Sequence, residues 1–185
     1  MLEDKRLLRR LRRADVDALR LLYDKYKADL LKLAVILTGD VGQAEDVVQD
    51  VFLQLARSYR RISIRGNVRN YLITCLVNRT RSLHRAAGQR CEMTFEAPLT
   101  QTCPRPQPDQ WAVLNERMQQ LSAAMSQLPL EQREVIALRF EAGLGFRRIA
   151  HLQQVSVNTA QGRCRYGMEK LRSVLNSEVT HDTRR

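Results

Sequence analysis

The sequence predicts an all-α chain of two small helical domains joined by a flexible linker. Three observations carry that prediction. Apolar residues recur at helical spacing along most of the chain, and strand signals are almost absent. Between the two periodic parts lies a stretch, 87–110, that holds Gly88, Pro98, Pro104, Pro106 and Pro108 among many Thr and Gln and has no periodic apolar face. With 185 residues, 44% of them hydrophobic, the two parts can each bury a modest core. The boundaries read from this are a first domain over 1–87, a linker over 88–110, a second domain over 111–176 and a tail over 177–185 that looks disordered from Asn176 onward.

The first long helix is predicted over 15–37, with Ala18, Leu22, Tyr26, Leu30, Leu33 and Leu37 on one stripe and Gly39, Asp40 and Gly42 as breakers. A second helix over 43–58 places Ala44, Val47, Val48, Val51, Phe52 and Leu55 inward, leaving Asp46, Gln49 and Asp50 on its polar face. A basic loop follows to Asn67. A third helix over 68–85 turns Val68, Leu72, Cys75, Leu76 and Leu83 inward and Arg69, Asn78, Arg81, Ser82 and Arg85 largely outward.

In the second domain a helix is predicted over 111–126. The next starts near Pro129, whose missing N–H does no harm in a first turn, and ends at Gly143. A short helix over 146–153, a turn at Gln153 to Val155 and a last helix to about Leu175 have the layout of a helix-turn-helix. Ser156 can cap the last helix, which exposes Asn158, Gln161, Arg163, Arg165 and Tyr166. Arginine at such positions suits guanine, and asparagine or glutamine suits adenine.

Charge separates the function classes. The net charge is +11, and the span 51–90 holds nine arginines with no Asp or Glu. Ordinary solvated surfaces mix both signs, so a run of this length implies a polyanionic partner, nucleic acid above all. Neither a carboxylate cluster nor a phosphate loop accompanies the basic surface, which argues against an enzyme. Four scattered cysteines, Cys75, Cys91, Cys103 and Cys164, match no usual zinc-ligand spacing, so no metal and no cofactor is expected. The N-terminus alternates charge and leucine without a signal-peptide stretch, and no run is apolar enough to insert in a membrane; the location expected is the cytoplasm.

Three stretches together resemble the extracytoplasmic-function (ECF) branch of the sigma-70 family. The first is Ala44-Glu45-Asp46-Val47-Val48-Gln49-Asp50-Val51-Phe52-Leu53. The second is Asn70-Tyr71-Leu72 through Asn78-Arg79. The third runs from Leu128-Pro129 and Gln132-Arg133-Glu134-Val135 through Ile149-Ala150 and Val155-Ser156-Val157-Asn158-Thr159 to Glu169-Lys170-Leu171-Arg172.

The resemblance implies a sigma factor that binds core RNA polymerase and directs it to promoters. Asp46, Gln49 and Asp50 would meet a coiled coil of the largest polymerase subunit. Arg60, Arg61, Arg65, Asn67, Arg69 and Asn78 would meet the minus-ten element. Ser156, Asn158, Thr159, Gln161, Arg163, Arg165 and Tyr166 would meet the minus-thirty-five element, with Arg147 and Arg148 on its phosphate backbone. An anti-sigma factor is a further implied partner. The competing reading is a helix-turn-helix regulator that never touches polymerase; it leaves the polar face of the second helix and the basic first domain unexplained.

This sequence also departs from the family pattern. Gly145 replaces a capping hydroxyl, Tyr71 stands for the usual Trp, Ser82 stands for an Asp, and Gly162 and Gly167 each weaken the last helix by about 1 kcal/mol relative to alanine.

Overall fold

The computed structural model describes residues 2–13, 15–58, 67–93 and 116–182, and every regular element among them is helical. The helices are α1 (Leu2–Arg12), α2 (Val16–Thr38), α3 (Val41–Ser58), α4 (Val68–Met93), α5 (Glu116–Ser126), α6 (Leu130–Ile136) with a π-helical turn at Ala137–Glu141, α7 (Phe146–Gln153) and α8 (Val157–Asp182). By contacts they form two compact units. One is Met1–Ala34 with Gly42–Arg105; the other is Val35–Val41 with Pro106–Arg185.

In the first unit α2, α3 and α4 share a core in which Leu22, Leu30, Leu33, Leu55, Leu72, Ile73 and Leu76 are almost fully buried. Burial of one such side chain contributes about 1.5–3 kcal/mol. An edge-to-face pair, Tyr23 on Phe52 at 4.9 Å, ties α2 to α3. The N-terminal α1 is a separate helix that the sequence reading did not isolate. It buries Leu7 and Leu11, and its Glu3 and Asp4 both take the Lys25 ammonium of α2, at 2.6 and 2.8 Å. Burial alone would raise the Asp4 carboxyl, but hydrogen bonds from Lys25 and Tyr26 outweigh it and hold the group below its ordinary range. Asp15 then joins the two helices. One carboxylate oxygen caps α2 through the N–H groups of Asp17 and Ala18, and the other accepts from Arg10 Nε at 2.8 Å.

In the second unit α6, α7 and α5 pack on α8. The core stripe of α8 is Ala160, Cys164, Gly167 and Leu171, and it faces a layer that includes Val135, Ile136, Leu138, Ile149 and Ala150. Gly167 is there for close approach: a Cβ would stand 2.8 Å from Ile136 Cδ1 and 3.1 Å from Gln132 Cβ. Arg133 is buried, its Nη2 donating to the carbonyls of Ser126 and Leu128, which closes the C-terminal end of α5, and its Nη1 donating to the Leu37 carbonyl of the same unit. Desolvation lowers its pKa.

Two sequence expectations change. The tail expected to be disordered from Asn176 is helical to Asp182, and the linker expected from residue 88 begins later, because α4 runs through Gly88 to Met93. The reason is common to both. Once a packed helix is nucleated, each further residue adds one hydrogen bond, and neither extension meets a proline. A single Gly88, at about 1 kcal/mol, does not stop the helix. The rest of the predicted linker, with Cys103 and the prolines, and the start of the predicted helix at Trp111 lie outside the described residues.

Candidate nucleic-acid and protein-binding faces

The first candidate face lies on α3. Asp46 and Gln49 are exposed, as the helical spacing requires. Asp50 is not a free carboxylate: Arg79 of α4 places both Nε and Nη2 2.7 Å from its Oδ2, with both side chains a little under half exposed. Beside this polar strip runs an apolar groove of roughly 360 Å³ lined by Val16, Leu19, Arg20 and Tyr23 of α2 and by Gln49, Phe52, Leu53 and Ala56 of α3. Val16 is 77% exposed and Leu53 is 50% exposed. The groove is not legible in the apolar stripe of α3, because Leu53 lies off that stripe and gains its setting only beside α2. An apolar groove flanked by Asp46 suits a protein partner better than a polyanion.

The second candidate face starts at α4. Arg60, Arg61 and Arg65 lie outside the described residues. Asn67 acts as the N-cap of α4, its Oδ1 accepting from the Arg69 N–H at 2.9 Å. Its side chain therefore sets where the helix begins. Arg69 is half-buried and reaches Asp29 of α2 at 3.6 Å. Asn78 is exposed. Arg81 and Arg85 follow it at i+3 and i+7 on the same face of α4, a pair the sequence reading turned outward without assigning a role. Tyr71 is half-buried, and burial together with its bond to Cys75 pushes its hydroxyl up to about 12. It is a packing residue rather than a stacking platform.

The helix-turn-helix of the second unit is built by three local devices. Gly145 enters α7 extended and without a side-chain cap, so Arg147 and Arg148 stand exposed in a first turn whose dipole disfavours them by about 0.3–1 kcal/mol each. At the turn Gln154 adopts the left-handed conformation, φ 55°, while the Val155 N–H reaches back to the Ala150 carbonyl at 3.0 Å. Ser156 Oγ then accepts from the Thr159 N–H at 3.0 Å and caps α8, as its position predicts. Ser156 is thus occupied with the cap and with the Thr159 hydroxyl, 2.8 Å away.

The exposed residues of α8 divide into two strips. Asn158, Gln161 and Arg165 follow one another at i, i+3 and i+7 and face outward together. Thr159, Arg163 and Tyr166 form the flank. Arg163 is drawn into the unit by a 2.9 Å bond to Gln153 Oε1, and Gln153 in turn donates to the Glu131 carbonyl at 2.9 Å. That bond makes Arg163 a brace between α7 and α8, a role no local pattern revealed. Arg165 rests over the Tyr166 ring at 4.9 Å with Nη2 3.1 Å from its hydroxyl, and the ring is 56% exposed. Before α7, the π-helical turn closes with the Ala142 N–H on the Ala137 carbonyl, and Arg139 lies over the Phe146 ring at 5.1 Å.

Among the described residues no group of His, Cys, Asp and Glu could hold a metal ion, and no helix is long and apolar enough to cross a membrane. Cys75 and Cys164 are free thiols, both raised by burial.

Comparison with known proteins agrees with this division. Residues 22–90 match the family model for sigma-70 region 2, and residues 118–171 match the model for sigma-70 region 4. The chain is 29% identical over 174 residues to the ECF RNA polymerase sigma factor SigX of Bacillus subtilis, covering 90% of this chain and 89% of SigX. It is 30% identical over 166 residues to the ECF RNA polymerase sigma factor SigL of Mycobacterium tuberculosis, covering 88% and 91%. Among solved structures, CnrH in complex with the cytosolic domain of CnrY shares the fold with a TM-score of 0.68 at 20% identity, over 95% of this chain and 98% of that one. The sigma factor RpoE in complex with the anti-sigma factor NepR from Bartonella quintana gives 0.62 at 21% identity, over 84% and 96%.

Proposed function

Because this chain belongs to the sigma-70 family, in its extracytoplasmic-function branch, we propose that its two units divide the work of an RNA polymerase sigma factor between the faces described above. It binds core RNA polymerase and directs transcription initiation at specific promoters. The observation that carries the division of labour is the α3 face. Asp46 and Gln49 beside an apolar groove, within a chain of net charge +11, form a surface made for protein. A regulator that used only its helix-turn-helix would have no need of it.

In this reading α3 meets the coiled coil of the largest polymerase subunit through Asp46, Gln49, Asp50 and the groove. Asn67, Arg69 and Asn78 of α4 meet the minus-ten element, with Arg60, Arg61 and Arg65 from the preceding segment. Melted DNA is held by cationic grooves and by pockets for unstacked bases. In the second unit Asn158, Gln161 and Arg165 reach base edges of the minus-thirty-five element. Thr159 and Tyr166 flank them, Ser156 and Arg163 hold the helix in place, and Arg147 and Arg148 take phosphate, which offsets their unfavourable position at a helix N-terminus. The protein performs no covalent chemistry of its own and works in the cytoplasm, where polymerase is. Both solved neighbours are held by a second protein, in one case a named anti-sigma factor, and a partner of that kind is proposed here too.

The test is reconstitution. Full-length protein added to core polymerase gives initiation from discrete start sites on a genomic promoter library. Absence of any specific start, with a polymerase active under another sigma factor, overturns the reading.

A further inference from the structure

The N-terminal helix α1 lies before the region matched by either family model, which begins at residue 22. Asp4 is buried on Lys25, Glu3 pairs with the same ammonium while staying exposed, and Arg10 is paired with Asp15. Apart from Glu3, the exposed charge of α1 is cationic. Lys5, Arg6 and Arg9 are exposed on the helix and Arg13 just past its end, and none of the four has an ion-pair partner among the described residues. Arg12 is exposed on the same side. At 100° per residue these positions fall within an arc of about 120°, opposite the buried stripe of Asp4, Leu7 and Leu11. Like charges at i, i+4, as in Lys5–Arg9, oppose the helix, while the acids in its first turn and Arg9, Arg10 and Arg12 in its last turn suit its dipole. The fold nevertheless holds α1 firmly against α2 in this orientation.

We propose that this face of α1 binds DNA phosphates and extends the first unit's grip on promoter DNA. The inference rests on the sigma-factor reading and adds a surface to it. Placement supports it: Tyr26, whose hydroxyl is bonded to Asp4 of α1, lies within electrostatic reach of Arg69, at the start of α4. That contact is made by the buried side of α1; the cationic face points away from it and belongs to the same unit as Asn67, Arg69 and Asn78 of the proposed minus-ten surface. Lys5 to Arg12 spans about 10 Å of helix, over which one DNA strand presents roughly three phosphates. A membrane is the poorer partner, since Leu7 and Leu11 are buried in the unit and cannot enter a bilayer. A protein interface is poorer as well, because from Lys5 to Arg13 the arc is wholly charged and offers no apolar residue for an interface core.

The experiment uses holoenzyme reconstituted with the full chain, either wild type or carrying Lys5→Gln, Arg6→Gln and Arg9→Gln together. Promoter affinity is measured against salt on duplex and on pre-melted templates, and core affinity is measured in parallel. Three lost phosphate contacts flatten the log–log salt slope by about 2–3, at 0.7–0.9 per contact, with core affinity unchanged. Flattening on the duplex alone assigns the face to double-stranded DNA, and flattening on both templates assigns it to the strand exposed by melting. Unchanged slopes on both templates overturn the proposal, as does a fall in core affinity of the same size as the fall in promoter affinity. Should the triple variant lose helix content, Lys5→Gln with Arg9→Gln gives the same comparison at a slope change of about 1.4–1.8. Failure of the wild-type chain to bind core at all would instead refute the sigma reading.

Discussion

Gly162 and Gly167 offer a matched test of how α8 is held. Both lie in the same helix, and glycine in a helix interior costs about 0.8–1 kcal/mol relative to alanine, so each Gly→Ala change carries the same intrinsic gain. Their surroundings differ. A Cβ at Gly162 meets nothing within 4 Å, whereas one at Gly167 falls 2.8 Å from Ile136 Cδ1 and 3.1 Å from Gln132 Cβ. Ile136 is 5% exposed, so its end cannot swing into solvent, and a Cβ atom moves only with its backbone. Overpacking of this kind costs about 1–3 kcal/mol. Gly162→Ala is therefore expected to stabilise by about 1 kcal/mol, and Gly167→Ala to be neutral or to destabilise by up to about 2 kcal/mol. The helix terms cancel between the variants, leaving a gap of about 1–3 kcal/mol that reports the α6–α8 contact alone. Urea unfolding of the full chain, followed by circular dichroism, measures it. Equal stabilisation by both changes would refute the close packing of α8 on α6.

Asp46→Lys is expected to lower affinity for core polymerase at least tenfold, about 1.4 kcal/mol, without loss of fold. Asp50→Arg should do the same but with a stability loss of up to about 1 kcal/mol, because it also breaks a half-exposed pair with Arg79; a titration of labelled core together with a melting curve separates the two effects. Arg165→Ala should relax base preference at one position of the minus-thirty-five element by about 1–3 kcal/mol. Arg163→Ala should mainly reduce stability, by about 0.5–1.5 kcal/mol, through its lost bond to Gln153; a loss of base preference with stability intact would reverse these roles. Gln154→Gly should stabilise by about 1 kcal/mol, since it relieves a left-handed residue, and a lower midpoint in calorimetry would refute that reading of the turn.

The helix-turn-helix was readable in the sequence because its determinants are local. Ser156 caps three residues ahead, and Ile149, Ala150, Ala160 and Leu171 keep helical spacing. The same holds for α3, whose apolar stripe left Asp46 and Gln49 outside without reference to any other element. What the sequence hid was pairing at a distance. Asp50 and Arg79 are 29 positions apart, and nothing near either residue announces the other. Arg163 resembles its exposed neighbours in sequence and differs only because α7 brings Gln153 to it. Helix ends were misjudged for a related reason: composition marks where a helix becomes unfavourable, while packed turns upstream carry it further, as at Gly88 and Asn176. The α1 helix escaped notice because two leucines make a short stripe that gains its value only against α2.

The Asp50–Arg79 pair has a consequence for how the two kinds of partner would be found. A carboxylate forked at 2.7 Å is half of a dipole, whose field dies away faster than that of a lone charge. On the strip formed by Asp46, Gln49 and Asp50, only Asp46 then projects an unbalanced negative charge. Encounter with polymerase at this surface would owe little to long-range attraction and would vary weakly with ionic strength. Capture of DNA by the arginine-rich surfaces would vary steeply. A change in cellular salt would thus alter how readily the assembled enzyme finds promoters far more than how readily the enzyme is assembled.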